Sequence, residues 1–340
     1  MEKRKATSLE DLLQSWKDEL VGSALQTCSA NSVITDGLVK AWSVINNPQY
    51  SSILCSVSGG SDSDIMLDII WRCDRDKKVT YVWYNTGLEY QATKDHLHEL
   101  EKQYGISIMI QRPEKPVTTA CKQCGQPFLS KKVSDFMWRL QKHAFQWEDE
   151  PYETLIKKYP NCQSALEWWC DCKQSKRLGI SYNRFLKEFI MANPPSFRIS
   201  NRCCDYVKKD PAHKVIRSGG YRMNILGIRR GEGGMRSFLN GCFQHSAEVD
   251  VYRPLFWYTN AEKEQYEEVF QIQHSACYTE YGLTRTGCAG CPYGKNFEQE
   301  LAVLEKHEPK LYAAATSIFK DSYEYTRKYR AFQKQMNGRV

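Results

Sequence analysis

Residues 52 to 111 switch repeatedly between two hydrophobic periods. SILCSVS (52–58) has the length and apolar content of a buried strand, and DIMLDIIWRC (64–73) has apolar residues at helical spacing. VTYVWYNT (79–86) returns to strand character, EYQATKDHLHELEKQYG (89–105) to helical, and ISIMIQ (106–111) to strand. The connections are short. Apolar strands alternating with helices specify a parallel sheet wrapped by helices. Such sheets bind ligands beyond the carboxyl ends of their strands. The expected fold class is α/β, a parallel twisted sheet flanked by helices.

The other segments arrange themselves around this core. Residues 8–27 and 31–46 have helical spacing and predict an N-terminal helical layer. Residues 114–195, rich in Lys, Trp and Cys, read as a helical insertion in several pieces. FRIS (197–200), MNILGIRR (223–230) and EVDVYRPLFW (248–257) read as extended, and from about 260 the chain is mostly helical. The expected division is an N-terminal helical segment (1–48), a central domain (49–295) holding the insertion, and C-terminal helices (296–340). There is no internal repeat and no low-complexity segment.

A chain of 340 residues, 41% hydrophobic, can build a large core. Its net charge of +7 suits an anionic partner such as a nucleotide or nucleic acid. No apolar run approaches the length of a membrane span. The start, MEKRKATSLEDLLQSW, lacks the apolar core and cleavage site of a secretory signal, so the expected location is the cytoplasm. In a reducing compartment, 14 cysteines point to metal or redox chemistry rather than to disulfides.

SVSGGSDSD (56–64) lies between the first strand and the first helix of the alternation. Glycines admit close backbone approach to an anion, while successive amides, serine hydroxyls and a helix start favour negative charge. No Lys-Ser/Thr follows the second glycine, which excludes a Walker A loop, and the pattern is not GxGxxG. A plain strand-to-helix turn capped by Ser61 or Asp62 is the simpler alternative.

Ser58-Gly59-Gly60-Ser61-Asp62-Ser63 resembles the SGGxDS pyrophosphate loop of the PP-loop ATP pyrophosphatase (adenine nucleotide alpha hydrolase-like) superfamily. More closely, the chain resembles the phosphoadenosine-phosphosulfate (PAPS) reductase-like family. Asn85-Thr86-Gly87 matches a Thr-Gly element that the family places near the nucleotide. Gly227-Ile228-Arg229 with Glu232 and Arg236 looks like its GxR…E…R segment, and Arg253-Pro254-Leu255-Phe256-Trp257 resembles its PL-x-W element. The likeness covers roughly residues 50–295. It implies a five- or six-stranded core binding ATP or a related adenine nucleotide. Residues Ser58 to Ser63, Asn85, Thr86, Gly87, Arg229 and Glu232 would contact it, with Mg2+ bridging the phosphates. Asp62, Lys208, Arg229 and Arg236 are the candidate catalytic residues.

Cys203-Cys204 and Cys288-x-x-Cys291 supply four thiols at short spacings, suited to iron–sulfur or zinc. Their order resembles the 4Fe-4S signature of adenosine-phosphosulfate reductases, with Lys208 where that family has a Lys between cluster and nucleotide. Cys121-x-x-Cys124 and Cys170-x-Cys172 can form a zinc site tying the insertion together, although C-x-C is an unusual half-site and ordinary thiols are favoured. The reductases carry a catalytic cysteine near their C-terminus. This chain has no cysteine after Cys291, leaving only Cys242 and Cys277 for such a role.

Lys320, Arg327, Lys328, Arg330 and Lys334 interleave with aromatics, but Tyr325, Tyr329, Phe332 and Met336 fall at helical spacing. A docked helix with a solvated basic face is the favoured reading, as it is for Lys131-Lys132 and Lys157-Lys158. His96 and His98 read as surface residues. The function expected is nucleotide-dependent sulfur transfer by an enzyme carrying a 4Fe-4S cluster, acting on a nucleic acid or a small acceptor. A partner protein would supply sulfur or reductant. The alternatives are a sulfonucleotide (PAPS) reductase using an unidentified thiol, and a nucleotide- or redox-sensing regulator.

Overall fold

The computed structural model describes residues 5–21 and 31–338. The chain opens with helices α1 (Leu9–Val21) and α2 (Ser32–Ile45). Residues 22–27 of the expected first helix lie outside the described residues. The predicted alternation follows as β1 (Ile53–Val57), α3 (Ser61–Cys73), β2 (Val79–Tyr84), α4 (Gln91–Tyr104) and β3 (Ile108–Gln111). The insertion is helical: α5 (Val117–Cys124), α6 (Lys131–Lys142), α7 (Tyr152–Lys158), α8 (Gln163–Trp169) and α9 (Leu186–Ala192). A short α10 (Arg202–Cys204) runs through a π turn (Asp205–Lys209) into α11 (Asp210–Gly219). Then come β4 (Met223–Leu226), β5 (Phe243–Gln244), β6 (Asp250–Tyr252), α12 (Asn260–Val269) and α13 (Ala276–Thr279). The chain closes with α14 (Phe297–His307), α15 (Pro309–Ile318) and α16 (Lys320–Asn337).

Two compact units result. The first comprises residues 1–85, 89–112 and 210–286; the second comprises 86–88, 113–209 and 287–340. The first holds a six-stranded sheet in the order β3-β2-β1-β4-β6-β5. Every neighbouring pair is parallel except β5 with β6. From β1 the chain winds outward through β2 to β3, whereas β4 pairs on the other side of β1. The carboxyl ends of β1 and β4 therefore flank the point where strand order reverses, where α/β sheets form a ligand crevice.

Helix α3 is buried from Ser63 to Cys73, so it has no solvated face for polar side chains. Asp64, Asp68 and Arg72 stand four residues apart, on one stripe, and each has an internal partner of opposite charge or a hydrogen-bond donor. The Asp68 carboxylate, wholly buried, accepts from Arg72 Nε (2.7 Å), Tyr104 Oη (2.8 Å) and Tyr266 Oη (2.8 Å). Arg72 also reaches Glu19 of α1 at 3.3 Å and lies 4.1 Å from the Phe270 ring. One stripe of charge thus ties α1, α4 and α12 to α3.

The second unit has its own core, in which Phe128, Trp168, Trp169, Phe189, Tyr325 and Tyr329 are buried together. Tyr325 and Tyr329 project from α16, and Lys320, Arg327, Lys328, Arg330 and Lys334 are exposed, as expected for a docked helix.

Three extended stretches are shorter than their sequences predict. FRIS is not a sheet strand. Ile199 makes one parallel bridge with Gln126, through Gln126 N to Arg198 O (2.8 Å) and Ser200 N to Gln126 O (2.9 Å). That bridge needs glycine at 125: its φ is 112°, and a Cβ there would lie 2.4 Å from the Arg198 carbonyl oxygen. In 223–230 the strand stops at Leu226. In 248–257 only Asp250–Tyr252 pairs, because Pro254 supplies no ladder amide and the chain turns.

Replacing Asp68 with Ala leaves Arg72 buried without its main partner. We expect a loss of about 3–5 kcal/mol in chemical denaturation, against no measurable change on removing Asp76, which pairs with Arg75 at the surface.

Candidate functional site

Helix α3 begins directly at the end of the β1 turn. Gly59 takes φ +65°, and a Cβ there would meet Thr93 Cγ2 at 2.8 Å, so the turn is built for glycine. The helix N-cap is Gly60, with no side-chain capping bond, which corrects the expectation that Ser61 or Asp62 caps it. Ser63 is used differently: its Oγ accepts the Ser58 amide at 2.9 Å and closes the loop on itself. The Ser61 amide donates to Tyr278 Oη at 3.2 Å, and the Ser61 hydroxyl accepts from Lys263 Nζ at 2.8 Å. A helix start without a side-chain cap, framed by donors, is an anion site in waiting.

Cationic side chains converge on this loop. Arg229, just past β4, donates from Nε to Asp62 Oδ2 at 2.8 Å and from a terminal nitrogen to Asn260 at 3.0 Å. Lys263 stands 3.7 Å from Asp62 Oδ1, an atom with no hydrogen-bond partner among the described residues. Arg236 pairs with Glu232. Burial and the charges of Arg285 and Arg229 depress Arg236, with Asp62 opposing. Lys263 also pairs with Glu267 at 3.3 Å, so three guanidiniums and an ammonium share three carboxylates, Asp62, Glu232 and Glu267.

Behind the loop, Asp64 lies between two imidazoles, His96 Nε2 at 3.1 Å and His274 Nδ1 at 2.8 Å. His96 is 3% exposed and not on the surface as its sequence suggested; His98 is exposed. The α4 helix turns residue 96 towards α3 and residue 98 outward. Burial works against a charged His274, but hydrogen bonds to Asp64 and Glu267 outweigh it and raise its pKa to about 9. Its stabilising contribution is therefore complete below the ordinary histidine pKa and lost as pH rises through about 9. We expect the melting temperature to fall between pH 6.5 and 9, by a few degrees on the order of one to two kcal/mol, and His274→Gln to flatten that slope.

The second unit gathers thiols. Cys203 is hydrogen-bonded with Cys121 and Cys204, and Cys291 feels the charges of Cys288 and Cys204. Lys208, on the π turn, acts on both Cys204 and Cys291, and Lys131 acts on Cys204. Burial pushes Cys291 up to about 12, with Cys288 adding to the rise. The four cysteines singled out by the sequence are thus linked, with Cys121 as a fifth. Among the described residues no group of three or more metal-ligating side chains is arranged to hold a metal ion.

The thiols of the second set have separate partners, in line with the ordinary thiols favoured for them. Cys121 pairs with Cys203, whereas Cys170 donates to Glu150 O (3.9 Å) and Cys172, exposed, to Cys170 O (3.5 Å). Thr86, wholly buried, accepts from the Cys288 thiol at 3.4 Å. The Asn85 amide donates to Gln111 O at 3.0 Å. Gly87 has φ +88° with open space around it. Lys263, Arg285, Tyr278 and His274 escaped sequence reasoning because nothing in their local spacing marks them. Only the crossing of α12 and the segment after it over the loop brings them there.

No helix among the described residues is long and apolar enough to cross a membrane. No curated protein matches the chain. Among solved structures, it is similar to a PAPS reductase from Candida auris solved with phosphate, at 14% identity over 84% of this chain and 98% of that one, TM-score 0.40. It is also similar to an FMN adenylyltransferase from Candida glabrata, at 13% identity over 83% and 70%, TM-score 0.41. A U34-tRNA thiolase from Methanococcus maripaludis with its 4Fe-4S cluster matches at 13% identity over 87% and 78%, TM-score 0.37. Residues 52–163 match the family model of the phosphoadenosine phosphosulfate reductase domain. The SGGxDS loop at the end of β1 lies within this matched segment, which resembles a phosphoadenosine phosphosulfate reductase domain.

Proposed function

We propose that the protein is an adenine-nucleotide-dependent sulfur-transfer enzyme of the ATP-pyrophosphatase type. The observation that carries this is the convergence of Arg229, Arg236, Arg285 and Lys263 on a glycine turn that opens a helix. The triphosphate of ATP would take the place that Asp62 now fills for Arg229. An acceptor oxygen attacks the α-phosphorus, and pyrophosphate leaves into the loop amides. A sulfur nucleophile at the oxidation level of hydrosulfide then displaces AMP, which departs with the oxygen. The arginines stabilise charge that builds on the leaving pyrophosphate.

Mg2+ suits this site because Asp62 Oδ1 is buried and has no hydrogen-bond partner among the described residues, only the Lys263 ammonium 3.7 Å away. Asp62 would hold it, and the ion would supply charge neutralisation between phosphates. The donor set of the second unit suits a 4Fe-4S cluster. Such a cluster takes one thiolate per iron, so its ligands need not meet at a single point as those of one ion do. Cys203, Cys204, Cys288 and Cys291 would hold it, with Lys208 and Lys131 offsetting thiolate charge. Sulfonucleotide reduction is disfavoured because Cys277 is fully buried, 3.6 Å from the Thr93 hydroxyl, and Cys242 is half-buried.

Titration with a non-hydrolysable ATP analogue and Mg2+ tests the reading. Arg229→Ala should weaken binding about ten- to a hundredfold through loss of a charge-assisted contact. Undiminished binding would overturn the phosphate site. In protein purified without oxygen, Cys203→Ser or Cys288→Ser should lose most of its iron and visible colour, while Cys121→Ser keeps both. A colourless, iron-free wild type would remove the cluster from the proposal.

A further inference from the structure

A cavity of about 370 Å3 lies in the first unit, walled by Val33 and Gly37 of α2 and by Pro254, Trp257 and Tyr258 beyond β6. Small-molecule sites begin at about this size. None of these residues belongs to the phosphate loop or its cations. The walls are flat and apolar. Tyr258 packs so closely on α2 that a Cβ on Gly37 would stand 3.2 Å from its ring and hydroxyl. Tyr258 is 2% exposed, and its hydroxyl has no hydrogen-bond partner among the described residues. A slot walled by the Trp257 and Tyr258 rings suits a planar ring.

The surroundings narrow the choice. Trp257, which lines the cavity, is 52% exposed. The Arg230 guanidinium lies 5.9 Å over its ring. Lys40 and Asp36, one turn apart on α2, stand at the cavity with opposite charges. Exposed rings interleaved with arginines are the pattern by which proteins hold single strands, with bases stacked and phosphates neutralised. Asp36 repels a phosphate, so a strand would run on the Arg230 side.

We propose that this cavity receives one unstacked base of a single-stranded nucleic acid. The adjoining base would stack on Trp257, and Arg230 and Lys40 would take the flanking phosphates. The proposal names the acceptor class of the sulfur-transfer reading and in that sense rests on it. The binding surface itself is tested independently.

The test uses the full chain and a fluorescein-labelled single strand of about twelve nucleotides, as RNA and as DNA, followed by anisotropy at fixed salt. The intact strand should bind at least about tenfold more tightly than the same strand made abasic, or than a blunt duplex. Trp257→Ala, at a half-exposed site, should weaken the intact strand about five- to a hundredfold and leave the abasic strand and ATP-analogue binding unchanged. Lys40→Glu should weaken the intact strand and lower its salt dependence. Duplex or abasic strand bound as well as the intact strand would overturn the proposal. So would undiminished binding by both variants, or a free nucleoside that saturates the protein while the strand does not bind. Loss of the phosphate site would appear only in the ATP-analogue titration, so the two readings fail separately.

Discussion

The first unit depends on how α3 hides its charges. A helix buried on every side ordinarily carries only apolar residues, yet this one carries Asp64, Asp68 and Arg72 in a single stripe. Each ion is costly in a low-dielectric interior unless matched by partners of fixed position. Asp68 finds two tyrosines and an arginine, Asp64 finds two histidines, and Arg72 finds Glu19 and an aromatic face. Those partners come from α1, α4, α12 and the segment after it. Apolar packing alone would let α3 rotate or slide with modest penalty. Directional bonds to a row of charges fix its rotation and its height, and hence the position of the loop that opens it.

With the helix fixed, the loop becomes an electrostatic device. Neighbouring strands with carboxyl ends at the switch point bring Asp62 from one side and Arg229 from the other to 2.8 Å. Further cations gather, Arg236 beside Glu232 and Lys263 beside Glu267, with Arg285 adding positive charge close to Arg236. Like charges assembled in a partly buried crevice are held there by the fold against their own repulsion, and an anion relieves that repulsion on binding. Asp62 serves both states: it balances Arg229 when no phosphate is present and offers its other oxygen to a cation when one is.

Much of this could be read from the chain before folding. The β-α-β-α-β alternation is local, since each element announces itself by its own period, and all five elements of 52–111 appear where they were expected. The SGGSDS turn was visible because glycine and serine have few other reasons to cluster between a strand and a helix. What escaped depends on long-range approach. His96 looks like a surface residue until α4 is laid against α3. Lys263, Arg285 and His274 lie some 200 positions from the loop and share no spacing with it. Cys121 seemed to belong with Cys124 because they are three positions apart in a C-x-x-C pattern, but its thiol meets Cys203 instead. FRIS has the composition of a strand and lacks only a sheet to join, because its partner is the two-residue stretch Gly125-Gln126.

That small bridge has a consequence for the thiols. α5 carries Cys121 and ends at Gly125, while α10 carries Cys203 and Cys204 and begins three residues after Ile199. The bridge fixes the offset between the two helices, so the spacing of the sulfurs is set by a backbone contact that only glycine permits. The chemistry of the thiol group is thereby subject to selection at a residue with no side chain. A methyl group at position 125 would move sulfur atoms without changing one of them.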